Sequence, residues 1–145
     1  MTKLPNEDTI RAWIHLHRSH RALLDKVEHS LKNNGLPPLD WYDVLLELSK
    51  AGGSGLRQYE IGERVLLSKH NLSRLIDRLE RNDLVRRYAC TEDGRGNRIK
   101  ITAGGERLLK QVWPVYREAL QVNFGDKLSS VEMMEMTRLL SKALG

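Results

Sequence analysis

Between Ser68 and Asn82 the chain reads SKHNLSRLIDRLERN, and this stretch limits the possible folds more than any other. Leu72, Leu75, Ile76 and Leu79 recur at i, i+3, i+4 and i+7, the spacing of one apolar stripe along an α-helix. At about 100° per residue, His70, Ser73, Arg74, Asp77 and Arg81 project from the opposite side, with Asn71 and Arg78 on one flank. Ser68 supplies an N-cap oxygen, and Asn82-Asp83 tolerate the left-handed geometry of a helix end, so both boundaries are chemically marked. The stripe requires a core, and the other face requires either water or a partner rich in hydrogen-bonding groups.

The distribution of charge favours a polyanionic partner over plain solvation. The chain carries a net charge of +5 and a pI near 9.5. Between Leu56 and Ile101 stand eleven Lys/Arg and seven Asp/Glu, so under a third of the chain holds four of the five excess positive charges. A basic patch confined to one segment is the electrostatic footprint of a nucleic-acid-binding module.

The flanking sequence reads as helices. Ile10, Trp13, Ile14, His17, Leu24, Val27 and Leu31 lie at helical spacing and predict a first helix over 8–34, about seven turns long. Asn33-Asn34-Gly35 ends it and Pro37-Pro38 forbids continuation. A second helix starts near Leu39 and turns Trp41, Val44, Leu45 and Leu48 inward, until Ala51-Gly52-Gly53-Ser54-Gly55 breaks it. From Leu56 a short third helix is expected, packed through Ile61 and Val65. With the Ser68–Asn82 stretch it makes a helix-turn-helix.

After Asp83 the period changes to two. Residues 84–89 and 98–101 alternate like strands, with the turn-forming Asp93-Gly94-Arg95-Gly96-Asn97 between them, which predicts a two-stranded wing with a basic tip. Thr102 then caps a long helix interrupted by Pro114. Ser129-Ser130-Val131-Glu132 is a capping box opening a last helix that buries Met133, Met136, Leu139, Leu140 and Leu144 in some combination. The apolar faces of the long first and the last two helices exceed what a small winged core can cover, and a second copy of the chain is the simplest partner.

At this point the residues carry a resemblance. The run LRQYEIGERVLLSKHNLSRLIDRLERNDLVRR followed by EDGRGNRIKITAGG resembles the winged helix-turn-helix of the MarR family of bacterial transcriptional regulators. Most specific is the wing: Asp93, Arg95, Ile99, Ile101-Thr102 and Gly105 match the family's Asp-x-Arg before a strand ending in Leu-Thr-x-x-Gly. Gly62 stands where the family usually has Ala, loosening the third helix by about 1 kcal/mol, and Asp83 where it usually has Gly.

The resemblance covers essentially the whole chain. It implies a mainly α fold with a small β-hairpin wing: a single domain over 1–145, with a winged helix-turn-helix at about 39–102 and dimerisation helices at about 8–34 and 103–144. It further implies a homodimer that sets one recognition helix per protomer in successive major grooves of a palindromic operator, as a repressor released by a small-molecule effector. The wings insert their tips in flanking minor grooves. On that reading Ser68, Lys69, His70, Asn71, Ser73, Arg74, Arg78, Arg95 and Arg98 contact DNA. Arg95 suits the negative potential of a narrow minor groove. Asp93, a carboxylate that would face phosphates, serves to orient Arg95.

Family members commonly bind small aromatic anions between the first two helices and the winged domain. Here Arg18 and Arg21, one turn apart with His17 beside them, together with Trp41 suit a carboxylate on a ring, against the simpler reading that both arginines pair with acidic neighbours.

Other constellations carry less. His15 and His17 lie about 200° apart on a helix, so only His17 and His20 share a face and no metal site is expected. The lone Cys90 excludes an intrachain disulfide. It is read as an inert thiol, although neighbouring arginines could lower its pKa. Neither a nucleophile setting nor a phosphate-binding glycine loop is present, so neither enzymatic activity nor a cofactor is expected. No run of apolar residues is long enough to span a membrane and no signal-peptide pattern opens the chain, so a cytoplasmic protein is expected. The rival reading from another class is a dimeric winged-helix scaffold for protein interaction without specific DNA binding, which would have no need of Arg95 at the hairpin tip.

Overall fold

The computed structural model describes residues 2–65, 67–89 and 97–145. They form helices α1 (Glu7–Asn33), α2 (Leu39–Ala51), α3 (Gln58–Arg64), α4 (Lys69–Arg81), α5 (Ala103–Asn123) and α6 (Ser130–Leu144), with strands β1 (Leu56–Arg57), β2 (Val85–Ala89) and β3 (Asn97–Ile101). The chain falls into two compact units, Leu31–Val115 and the pair of segments Met1–Ser30 and Tyr116–Gly145. One boundary lies inside α1 and the other inside α5, beside Pro114.

In the unit Leu31–Val115 the predicted recognition stretch is α4, and the four residues of its apolar stripe, Leu72, Leu75, Ile76 and Leu79, are its buried residues. They share a core with Val44, Leu45 and Leu48 of α2, Ile61 of α3, Val85 and Ile99 of the strands, and Val112 of α5. Trp41, expected inside, is only half-buried. Its neighbour Tyr42 takes the interior position and stacks on Trp113 with ring centroids 6.3 Å apart.

The wing is more than a hairpin. Leu56 and Arg57, expected to open the third helix, instead form β1, which pairs antiparallel with β3 in the sheet order β1-β3-β2. Arg57 becomes the residue before α3, and its N–H donates to Glu60 Oε1 at 3.0 Å, satisfying a donor that a longer helix would have used. Within α3, a Cβ on Gly62 would meet only Leu72 Cδ2, at 3.4 Å. Gly62→Ala is therefore expected to stabilise the fold by about 0.5–1 kcal/mol, read as a higher urea midpoint with an unchanged slope.

The junctions explain two marked positions. Asp83, which ends the turn after α4, has φ 58°, the left-handed conformation for which the family pattern has glycine and which Asp tolerates better than most residues. The Thr102 hydroxyl donates to the Asp83 carbonyl oxygen at 2.6 Å and accepts from the Gly105 N–H at 3.1 Å. One side chain thus caps α5 and ties its start to the end of α4.

The other unit holds most of α1, the end of α5 and α6. Ser129 and Glu132 form the predicted capping box: Glu132 N–H donates to Ser129 Oγ at 3.2 Å and Ser129 N–H to Glu132 Oε1 at 2.9 Å. The expected burial along α6 is not found within one chain. Met133 and Met136 are half-buried, while Val131, Met134, Leu139, Leu140 and Leu144 are exposed, as are Ile10, Trp13, Ile14, Leu16 and Leu24 on α1. Among the described residues nothing covers these apolar stripes.

Candidate nucleic-acid interface

Helix α4 begins where its cap dictates: Ser68 is extended and its hydroxyl accepts from the Asn71 N–H at 3.2 Å. With the stripe buried, helical geometry leaves Lys69, His70, Asn71, Arg74, Asp77, Arg78 and Arg81 exposed and Ser73 half-buried, so the candidate residues of α4 form one continuous face. Among the described residues, neither Arg74, Arg78 nor Arg81 has an acidic side chain within ion-pair distance. Their guanidinium groups are free to bind an external acceptor.

Two carboxylates on the same helix are held elsewhere. Arg87, on β2, donates from Nη2 to Asp77 Oδ1 at 2.6 Å and from Nη1 to Glu80 Oε1 at 2.7 Å, and its backbone N–H donates to Glu80 Oε2 at 3.1 Å. Partial burial works against the Arg87 charge, but the hydrogen bonds to Asp77 and Glu80 outweigh it and hold the guanidinium above its ordinary pKa. Arg87 was not among the expected site residues. The period of two places it on the same sheet face as Val85, where an arginine must find a carboxylate, and that was the available signal.

The opposite face of the sheet gathers a second set of cations. The register sets Arg86 against Lys100 and Tyr88 against Arg98, with Arg57 next to Arg98 on the other side. Lys100 Nζ lies 4.6 Å from the centre of the Tyr88 ring. Arg98 is half-buried, with Nη1 donating to the Ser54 carbonyl oxygen at 3.4 Å, so it belongs to this sheet face and not to the face of α4. Asp93 and Arg95 lie outside the described residues, as does Cys90.

His17, Arg18 and Arg21 are exposed on α1, with the His17 ring edge-on to Trp13 at a centroid distance of 4.2 Å. Arg18 and Arg21 have no acidic partner among the described residues. Trp41 belongs to the other unit. Among the described residues no group of three or more His, Cys, Asp or Glu could hold a metal ion, and no helix is long and apolar enough to cross a membrane.

Comparison with known proteins agrees with this architecture. The MarR family sequence model matches residues 34–96, the segment from the end of α1 to the wing. The uncharacterized HTH-type transcriptional regulator YkoM of Bacillus subtilis strain 168 is 32% identical over 142 residues, covering 95% of this chain and 90% of its own. MhqR, an HTH-type transcriptional regulator of the same organism, is 29% identical, covering 96% of this chain and 92% of its own. The crystal structure of Sco3205, a MarR family transcriptional regulator from Streptomyces coelicolor in complex with DNA, superposes with a TM-score of 0.89. It covers 99% of this chain and 90% of its own, at 22% identity, a likeness of fold. Capped recognition helix, three-stranded wing, family match and relatives converge: the chain belongs to the MarR family, a family of transcriptional regulators and not of enzymes.

Proposed function

We propose that this chain is a sequence-specific DNA-binding regulator that works in the cytoplasm as a homodimeric repressor on a palindromic operator. Each protomer lays α4 in a major groove, where Ser68, Lys69, His70, Asn71, Ser73, Arg74 and Arg78 meet base edges and phosphates. Arg95, oriented by Asp93, enters the flanking minor groove. Arg98, set on the outer sheet face, neutralises phosphate from the side of the wing. The observation that carries the reading is the helix α4 itself: a buried stripe backed by an exposed face on which three arginines lack acidic partners among the described residues. Dimerisation is supported by the uncovered apolar stripes of α1 and α6.

The effector proposed to release the operator is a small aromatic anion, met on α1 by Arg18, Arg21 and His17. Its support is that both arginines are exposed and without acidic partners among the described residues.

One set of measurements tests the whole. Selection of bound duplexes from random DNA is expected to return an inverted repeat with half-sites about one helical turn apart. Sedimentation at micromolar concentration is expected to show a dimer, and addition of salicylate to the complex is expected to release the duplex. Selection without enrichment would leave the scaffold reading standing. A stable monomer would sink the dimer, and a complex indifferent to salicylate would remove the effector.

A further inference from the structure

Asp77 is the one acidic residue on a face otherwise made of cations and neutral polar groups, and its neighbours are arginines. Arg74 and Arg81 lie one turn to either side of it, at i−3 and i+4, the spacings at which helix side chains pair. An unengaged Asp77 carboxylate would capture one of them and would also stand against the phosphates of any bound duplex. In the structure it captures neither, because Arg87 reaches across from β2, engages Asp77 and Glu80 together, and secures Glu80 with its backbone N–H as well. The Arg87 side chain is 24% exposed, against 55% for Asp77 and 40% for Glu80, so the cation is the sheltered member of the group and is poorly placed to meet DNA itself.

We infer that Arg87 is a positioning residue for DNA binding: by holding Asp77 and Glu80 toward the wing it keeps Arg74 and Arg81 available and screens the duplex from two carboxylates. This rests on the DNA-binding reading above. It differs from a mere structural tether of β2 to α4, since its effect on DNA depends on the carboxylates being charged.

The test uses the full chain, a duplex recovered by selection and a scrambled duplex of the same length, titrated at several salt concentrations. Arg87→Met, which keeps the apolar stem and removes the cation, is expected to weaken both duplexes about tenfold or more at low salt. The triple variant Asp77→Asn, Glu80→Gln, Arg87→Met is expected to return to within about threefold of the parent, because nothing is left to mask. The double variant Asp77→Asn, Glu80→Gln, which keeps Arg87 and removes its anions, is expected to bind at least as tightly as the parent, with a steeper dependence of log affinity on log salt.

A triple variant as weak as Arg87→Met, or a double variant weaker than the parent, would overturn the inference. The double variant decides the matter even where loss of Arg87 prevents folding. A parent chain that binds neither duplex at low salt would instead overturn the DNA-binding reading and this inference with it, so the two failures are distinguishable.

Discussion

Replacing Gly105 with alanine is expected to cost the fold about 2–4 kcal/mol. A methyl group at this position would overlap the Leu84 carbonyl oxygen and stand 2.5 Å from Ile101 Cγ1. The first is backbone and the second belongs to a strand residue fixed by pairing with Val85, so neither can move without shifting the base of the wing. The displacement would also stretch the bond from the Gly105 N–H to Thr102 Oγ1, and with it the tie from Thr102 to Asp83. Gly104 provides the internal control: its Cβ would lie 3.2 Å from the Asp83 carbonyl oxygen, a contact that a few tenths of an ångström relieve. Urea unfolding should show Gly105→Ala falling well below Gly104→Ala. Equal midpoints would mean that the close approach of α5 to the wing is not tight in solution.

On DNA the largest expected effect belongs to Arg74. It sits mid-face on α4, exposed and without an acidic partner among the described residues, where on the proposed reading its guanidinium meets two acceptors on a guanine edge or, failing that, a phosphate. Arg74→Ala is expected to cost about 1–3 kcal/mol of operator binding and to narrow the gap between operator and scrambled duplex. Arg95→Ala should act differently, weakening both duplexes alike and flattening the slope of log affinity against log salt by about one unit. Circular dichroism should be unchanged in Arg74→Ala, because Arg74 is exposed on α4, and the same measurement serves as the folding control for Arg95→Ala. Operator affinity unchanged in both variants would remove this face and this hairpin from the DNA interface.

The parts of the fold that could be read from the sequence are those in which one local period decides. Leu72, Leu75, Ile76 and Leu79 are buried as their spacing requires, and the capping residues Ser68 and Ser129 act where the sequence marks helix starts. What escaped is set by contacts distant in sequence. A two-residue strand has no period of its own: Leu56 and Arg57 are a strand only because Ile99 and Arg98 lie alongside. Tyr42 displaced Trp41 from the interior because Trp113 offered it a stacking partner. Leu139, Leu140 and Leu144 are exposed within one chain, in keeping with apolar faces expected to exceed what a single winged core can cover. At the candidate site the cationic face of α4 was legible residue by residue. Arg87 was missed because attention to the basic run counted its charge and ignored its side of the strand.

The pairing of β1 with β3 also bears on how the protein comes into being on the ribosome. Leu56 and Ile99 are partners 43 positions apart, and everything between them, including α3 and α4, is strung inside the loop that this pairing closes. With 13 residues, α4 is at the length where an isolated helix is marginal in water, and it packs against α3 and β2. A nascent chain that has emerged only as far as Asn82 therefore has its helix-turn-helix sequence complete but lacks β2 and β3, the strands of the sheet still to come. The sheet is complete only when β3 has been synthesised and docked between β1 and β2, so the unit that carries the helix-turn-helix closes late in synthesis and not helix by helix.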